Sequence, residues 1–198
     1  RTADSLAATA KPVKFVINAG DNFYPFGVDS ETSWQWEERW GKQYSSLPGM
    51  VWYSCQGNHD LSQVNRACAC GRSKRGCSQI RKHGGVHQGH TWYMPDFSFR
   101  VRPLPGVNLE IVSLDTNHHD SGRICPWNSC DKKECKPKEK NEAVSDSCLV
   151  SECQNILEER NYEAQILLRE TLDANIGGNV IVVSHYPINY FQFGGIKK

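Results

Sequence analysis

Long hydrophobic runs are missing from this chain, and no apolar stretch approaches the length of a membrane span. One-sided charge is missing too. Lys plus Arg number 23 against 22 Asp plus Glu, a net charge of +1, which offers no footprint for nucleic acid and no acidic tail. No Met start and no apolar leader precede the first strand-like segment, so no sorting signal is visible. No Asn-x-Ser/Thr sequon occurs, and glycosylation therefore says nothing of the compartment. Cysteine, by contrast, is abundant. Cys55, Cys68, Cys70 and Cys77 form one group, and Cys125, Cys130, Cys135, Cys148 and Cys153 another, which favours an oxidising compartment. Nine is odd, so at least one thiol has no partner within the chain, and the pairing itself is not fixed by spacing. With 38% hydrophobic and 23% charged residues and a mean hydropathy of −0.59, the composition is that of a folded rather than a disordered chain. Its 198 residues suffice for one domain burying roughly 70% of its unfolded surface.

Four apolar runs rich in β-branched and aromatic residues, Phe15 to Ala19, Met50 to Ser54, Leu109 to Leu114 and Val180 to Ser184, each end in a polar turn and read as buried strands. Trp36, Trp40 and Tyr44 recur every four residues in Glu31 to Tyr44, which predicts an amphipathic helix there. A second helix is expected over Asn155 to Ala174, stopped by Gly177 and Gly178. Phe97 to Arg102 and Leu109 to Leu114, joined through Pro103, Pro105 and Gly106, read as a hairpin. Strand, helix, strand and later helix, strand make the class layered α/β. Two stretches break the pattern. Residues 62–89 and 118–153 read as cysteine-rich insertions in a single domain spanning 1–198, stapled rather than loose.

Three strand ends carry chemistry. Gly20-Asp21-Asn22-Phe23-Tyr24 follows the first strand, Gly57-Asn58-His59-Asp60 the second, and His185-Tyr186-Pro187 the last. Sites in open α/β sheets form at the carboxyl ends of strands, which puts Asp21, Asn58 and His185 on one rim. A carboxylate, an amide oxygen and an imidazole suit a first-row metal, and Gly20 and Gly57 allow the sharp turns that bring them together. Taken singly, each residue has a plainer use: Asp21 as a turn cap, Tyr24 packed on Phe23 and Phe26, His185 as a buried core histidine. The three motifs in order favour the site.

These segments resemble the calcineurin-like metallophosphoesterases, and Tyr24 with Gly27-Val28 narrows the resemblance to purple acid phosphatases of the tartrate-resistant kind. The likeness covers residues 14–60, 92–117 and 162–190. It implies a four-layer α/β/β/α sandwich holding a dinuclear centre of ferric iron plus a divalent Fe, Zn or Mn. Asp21 would bridge the cations, Tyr24 would bind the iron, and Asn58 and His185 would bind the second metal. His59 would contact the phosphate and protonate the leaving group, with Asp60 orienting its ring or capping the turn. The implied reaction is hydrolysis of a small phosphate monoester or a phosphoprotein by in-line attack of a metal-bound hydroxide, in a secreted, vacuolar or lysosomal setting.

The family's first aspartate motif and its closing Gly-His-Asp-His are not in the sequence. The chain is therefore expected to be the middle of a longer phosphatase, incomplete at both ends and weakly active by itself. Two alternatives stand beside this: a phosphodiesterase or nucleotide hydrolase of the same superfamily in which Tyr24 only packs, and a non-catalytic phosphatase-like binding module. His83, His87 and His90 with Cys68, Cys70 and Cys77 could form a zinc site, although their spacing matches no common signature and disulfides explain the cysteines as well. His118, His119 and Asp120 read as exposed loop residues, 131–142 as a solvated charged face, and Trp34, Trp36 and Trp40 as core or capping aromatics.

Overall fold

The computed structural model describes residues 13–47, 49–61, 66–71, 76–128 and 149–187. Its strands are β1 (Phe15–Asn18), β2 (Val51–Ser54), β3 (Val86–His87), β4 (His90–Tyr93), β5 (Phe99–Val101), β6 (Leu109–Leu114) and β7 (Asn179–Ser184). The α-helices are α1 (Arg66–Cys70), α2 (Ser78–Arg81), α3 (Ser121–Asn128) and α4 (Val150–Ala174). One sheet has the order β1-β2-β4-β3 and the other β5-β6-β7. Strands β1, β2 and β4 run parallel, as do β6 and β7 in full six-residue register, while β5 and β6 form the expected antiparallel pair.

Side-chain alternation along the strands sets the layers. Trp52 and Trp92 are paired across β2 and β4, and they meet Trp40 and Trp36 on one face of the first sheet. Tyr53 and Tyr93, the next pair along, point the opposite way, where Tyr93 meets Phe99 of the second sheet. In β6, Ile111 joins this inter-sheet core while Val112 and Leu114 turn to the far face, against Ala164, Leu167 and Leu168 of α4. A helical segment, two sheets and a long helix therefore stack in the α/β sandwich that the resemblance implies.

Three segments differ from expectation. The helix expected over Glu31 to Tyr44 is a π-helical turn, Trp36–Gly41, followed by a 3₁₀ turn, Lys42–Tyr44. The wider π turn nearly aligns residues four apart, so both Trp36 and Trp40 reach the sheet, and the Trp36 indole N–H is spent on the Ser30 carbonyl at 2.8 Å. Trp34 stays outside, 62% exposed. The stretch 62–89 is also less separate than it reads, because β3 pairs antiparallel with β4, itself inside the first sheet. Helix α4 begins five residues earlier than its apolar periodicity, at Val150, where Glu152 accepts the Leu149 backbone N–H at 2.9 Å. The charged run 131–142 lies outside the described residues.

Candidate active site

Strand β1 ends in a turn with Gly20 at φ +96° and Asp21 at φ +56°. Only glycine fits at position 20: a Cβ there would sit 2.6 Å from the Gly57 nitrogen and 2.9 Å from the Gln56 carbonyl carbon. The turns after β1 and β2 are thus in backbone contact. Asp60 binds them together. Its buried carboxylate accepts from the backbone N–H groups of Asn22 (2.9 Å), Phe23 (3.1 Å) and Gly57 (2.9 Å) and from the Asn22 side-chain amide (2.8 Å). Burial pushes the Asp60 carboxyl up, against the pull of these donors.

Above that staple the sequence-predicted residues converge. The Tyr24 hydroxyl donates to Asp21 Oδ2 at 2.6 Å, the His59 backbone N–H donates to Asp21 Oδ1 at 3.1 Å, and His185 Nε2 lies 3.2 Å from Asn58 Oδ1 and 3.6 Å from Asp21 Oδ1. His185 Nδ1 meets the Ala19 carbonyl at 2.9 Å, which puts a proton on Nδ1 and aims Nε2 at the two oxygens. His59 Nδ1 similarly meets the Pro25 carbonyl at 2.7 Å, and its ring lies 4.4 Å from that of Tyr24. The phenol of Tyr24 is held above its ordinary pKa, first by its hydrogen bond to Asp21 and then by burial and by the charges of Asp21 and Asp60.

The donor set fits a cation. Metal bonds of about 2.0–2.2 Å place neighbouring ligand atoms roughly 3 to 3.5 Å apart, close to the 3.2 Å and 3.6 Å from His185 Nε2 to Asn58 and Asp21. Among the described residues no group of three or more His, Cys, Asp or Glu is placed to hold a metal ion, since half of the donors here are a phenol and an amide.

The structure adds a fourth strand end. A 3₁₀ turn, Asn117–Asp120, follows β6, and its buried Asn117 side chain donates to the Gln56 carbonyl (3.1 Å) and to Asp115 Oδ1 (2.9 Å). His118 and His119 are half-buried rather than loop-exposed, and the His119 ring packs 6.2 Å from Tyr186, the neighbour of His185. Asn22, Gln56 and Asn117 carry no sequence signal as site residues, although Asn22 stands inside the Gly20–Tyr24 motif. The candidate zinc cluster does not form: Cys68 pairs with Cys77 and Cys70 is also disulfide-bonded. Cys125 pairs with Cys153, and the buried Cys55 is free among the described residues.

A family model for calcineurin-like phosphoesterases matches residues 2–196. The chain belongs to the calcineurin-like phosphoesterase family. The rabbit (Oryctolagus cuniculus) protein tartrate-resistant acid phosphatase type 5 is 31% identical over 108 residues, which is 52% of this chain and 29% of that protein. The pig (Sus scrofa) protein of the same name is 30% identical over 122 residues, 58% of this chain and 32% of that protein. This phosphoesterase chain thus spans about a third of the length of the curated relatives it matches.

Proposed function

We propose that this phosphoesterase is a metal-dependent acid phosphatase acting on phosphate monoesters, small or carried on a protein. The observation that carries the reading is the convergence of Asp21, Tyr24, Asn58 and His185 on one point, each from a motif loop of its own or its neighbour's. Asp21, with two carboxylate oxygens already directed to different partners, would bridge two cations; Tyr24 would hold a ferric ion, and Asn58 and His185 a divalent Fe, Zn or Mn. Such a pair, when bound, supplies Lewis acidity and neutralises phosphoryl charge.

The remaining work falls to the protein's own groups. Gly20 and Gly57 let the loops close, Asp60 and Asn22 fix their spacing, and the Ala19 carbonyl sets the His185 tautomer. His59, with Nδ1 anchored on Pro25 and its ring beside that of Tyr24, would present Nε2 to the phosphate and give a proton to the departing alkoxide. The disulfides of both cysteine-rich stretches suit a secreted, vacuolar or lysosomal setting. No described helix is long and apolar enough to cross a membrane.

A superfamily phosphodiesterase with two divalent cations, in which Tyr24 only packs, is the second reading; the Tyr24 ring lies 4.4 Å from that of His59. Metal analysis and a visible spectrum of the full-length protein, native and Tyr24→Phe, separate the two. The native protein is expected to hold iron with a phenolate charge-transfer band that the substitution abolishes, and to cleave monoesters in acid. A colourless native protein that cleaves diesters equally well overturns the first reading in favour of the second.

A further inference from the structure

One buried residue stands between the cysteine-rich stretch and the motif loops without belonging to either. Gln56 is 1% exposed and directly precedes Gly57-Asn58-His59. Its side-chain Nε2 donates to Cys77 Sγ, one half of the Cys68–Cys77 disulfide, at 3.2 Å. Its carbonyl accepts from Asn117 Nδ2 at 3.1 Å, and the peptide it shares with Gly57 is the surface on which the Gly20 turn rests. The other half of the disulfide is held in turn: Arg160 of α4 donates to the Cys68 carbonyl at 2.6 Å and to the Gly71 carbonyl at 2.7 Å. A second strut rises from the same stretch, since Gln79 of α2 lies 3.5 Å from the Asn22 side-chain amide.

We propose that Gln56 is a positioning residue, clamped between the Cys68–Cys77 disulfide and Asn117, that fixes Asn58 and His59 relative to Asp21. The first cysteine-rich stretch is then the floor of the site rather than an appendage. The argument is mechanical. A thiolate-free sulfur is a weak acceptor, so the hydrogen bond itself contributes little; its effect is to pick one position for a long side chain in a close-packed interior, where displacement is transmitted rather than absorbed. The Gln56–Gly57 peptide touches the Gly20 turn directly, so a shift there separates Asp21 from Asn58 and from the His59 N–H that binds it.

The inference rests on the metal reading above, and the experiment keeps the two apart. In the full-length protein, Gln56→Met keeps the side-chain length and removes the donor. Amide hydrogen exchange is expected to quicken about tenfold at Gly57 and His59 while the strands β2 and β6 keep native protection. The zinc dissociation constant, measured against a competing chelator, is expected to rise about tenfold, as for other groups that orient metal ligands. Cys68→Ser with Cys77→Ser should reproduce the exchange change at the same two amides, and it carries the test if Gln56→Met does not fold. Native exchange at Gly57 and His59 in a folded variant, or a uniform rise across both sheets, overturns the clamp, as does unchanged zinc affinity beside a lowered melting temperature. A native protein that binds none of iron, zinc or manganese sinks the metal reading, while the exchange at these amides still decides the clamp.

Discussion

The disulfide Cys68–Cys77 joins residues nine apart beneath the β2 loop, whereas Cys125–Cys153 joins residues 28 apart and ties α3 to α4 in the outer layer. Similar composition therefore serves two purposes. At the first bridge, Gln56 donates to Cys77 Sγ and Arg160 holds the Cys68 carbonyl; the second is packed in the core with Ile124 and Leu157 of α3 and α4. Cysteine content alone reports that a segment is stapled. What it is stapled to decides whether it supports catalysis or only the fold.

Arg160 is where the two regions meet, and its removal has the largest expected effect. From α4 it reaches two carbonyls of the first stretch, lies 3.8 Å from Asp115 Oδ2, and stacks 3.4 Å over the Phe97 ring. Burial lowers its pKa to about 10, with Asp115 pulling the other way. Arg160→Met should cost about 4 kcal/mol, because it leaves Asp115 buried beside two unpaired carbonyls. Urea unfolding measures it; a loss under about 1 kcal/mol would mean that the regions are energetically separate.

Removing each disulfide comes next and divides the regions by kind of effect. Loop entropy assigns about 3.5 kcal/mol to Cys125–Cys153 and about 2.5 kcal/mol to Cys68–Cys77. The double serine variant of the longer bridge should therefore unfold more easily in urea, yet leave zinc affinity at its native value. The shorter bridge's variant should be the more stable of the two and the poorer zinc binder. If stability and affinity fall together in both, the contrast between floor and outer layer is wrong.

How much of this could be read from the sequence follows the same division. Periodicity located β1, β2, β6, β7 and the body of α4 within a few residues, because each is an apolar run or repeat bounded by turn residues, although β7 is not the buried strand expected: Ile181 and Val182 are 37% and 40% exposed. It missed β4, a four-residue strand whose buried His90 and Trp92 alternate with half-buried Thr91 and Tyr93 in a stretch dominated by Gly and His. It also took one helix for the π and 3₁₀ turns at Trp36 to Tyr44, since tryptophans four apart satisfy either winding. Asp21, Asn58 and His185 were legible as candidate ligands because each is a polar, metal-capable side chain standing directly after an apolar strand. Gln56 and Arg160 were not, because buried hydrogen-bond partners are chosen by tertiary contact, and no local pattern marks them. Asp60 was legible as a supporting residue, but its partners are backbone amides of two loops and the Asn22 side chain, a role that spacing does not show.

Two histidines give the smallest effect and the finest test of where the boundary lies. Burial holds His83, in the first stretch, below its ordinary pKa, and its Nδ1 accepts the Met94 backbone N–H at 3.3 Å, so protonation breaks a hydrogen bond at the end of β4. Burial, and then the neighbouring His118, likewise lowers His119, at the start of the second. With the folded pKa below the unfolded one, the unfolded chain binds more protons between the two values, so stability is lost as pH falls from about 6.5 through the folded pKa. His83→Gln and His119→Gln should each flatten the fall of melting temperature as pH drops below about 6.5. They should differ in a second respect. His83 stands edge-on to Tyr93 and holds the Met94 backbone rather than a proposed ligand, so its variant should keep native zinc affinity. His119 packs against Tyr186 beside His185, so its variant should weaken zinc by a few-fold, as an outer group behind a ligand does. That outcome would move the boundary to Ser121, giving the 3₁₀ turn Asn117–Asp120 to the site and only α3 and α4 to the outer layer; equal zinc affinity in both variants would leave the whole second stretch outside it.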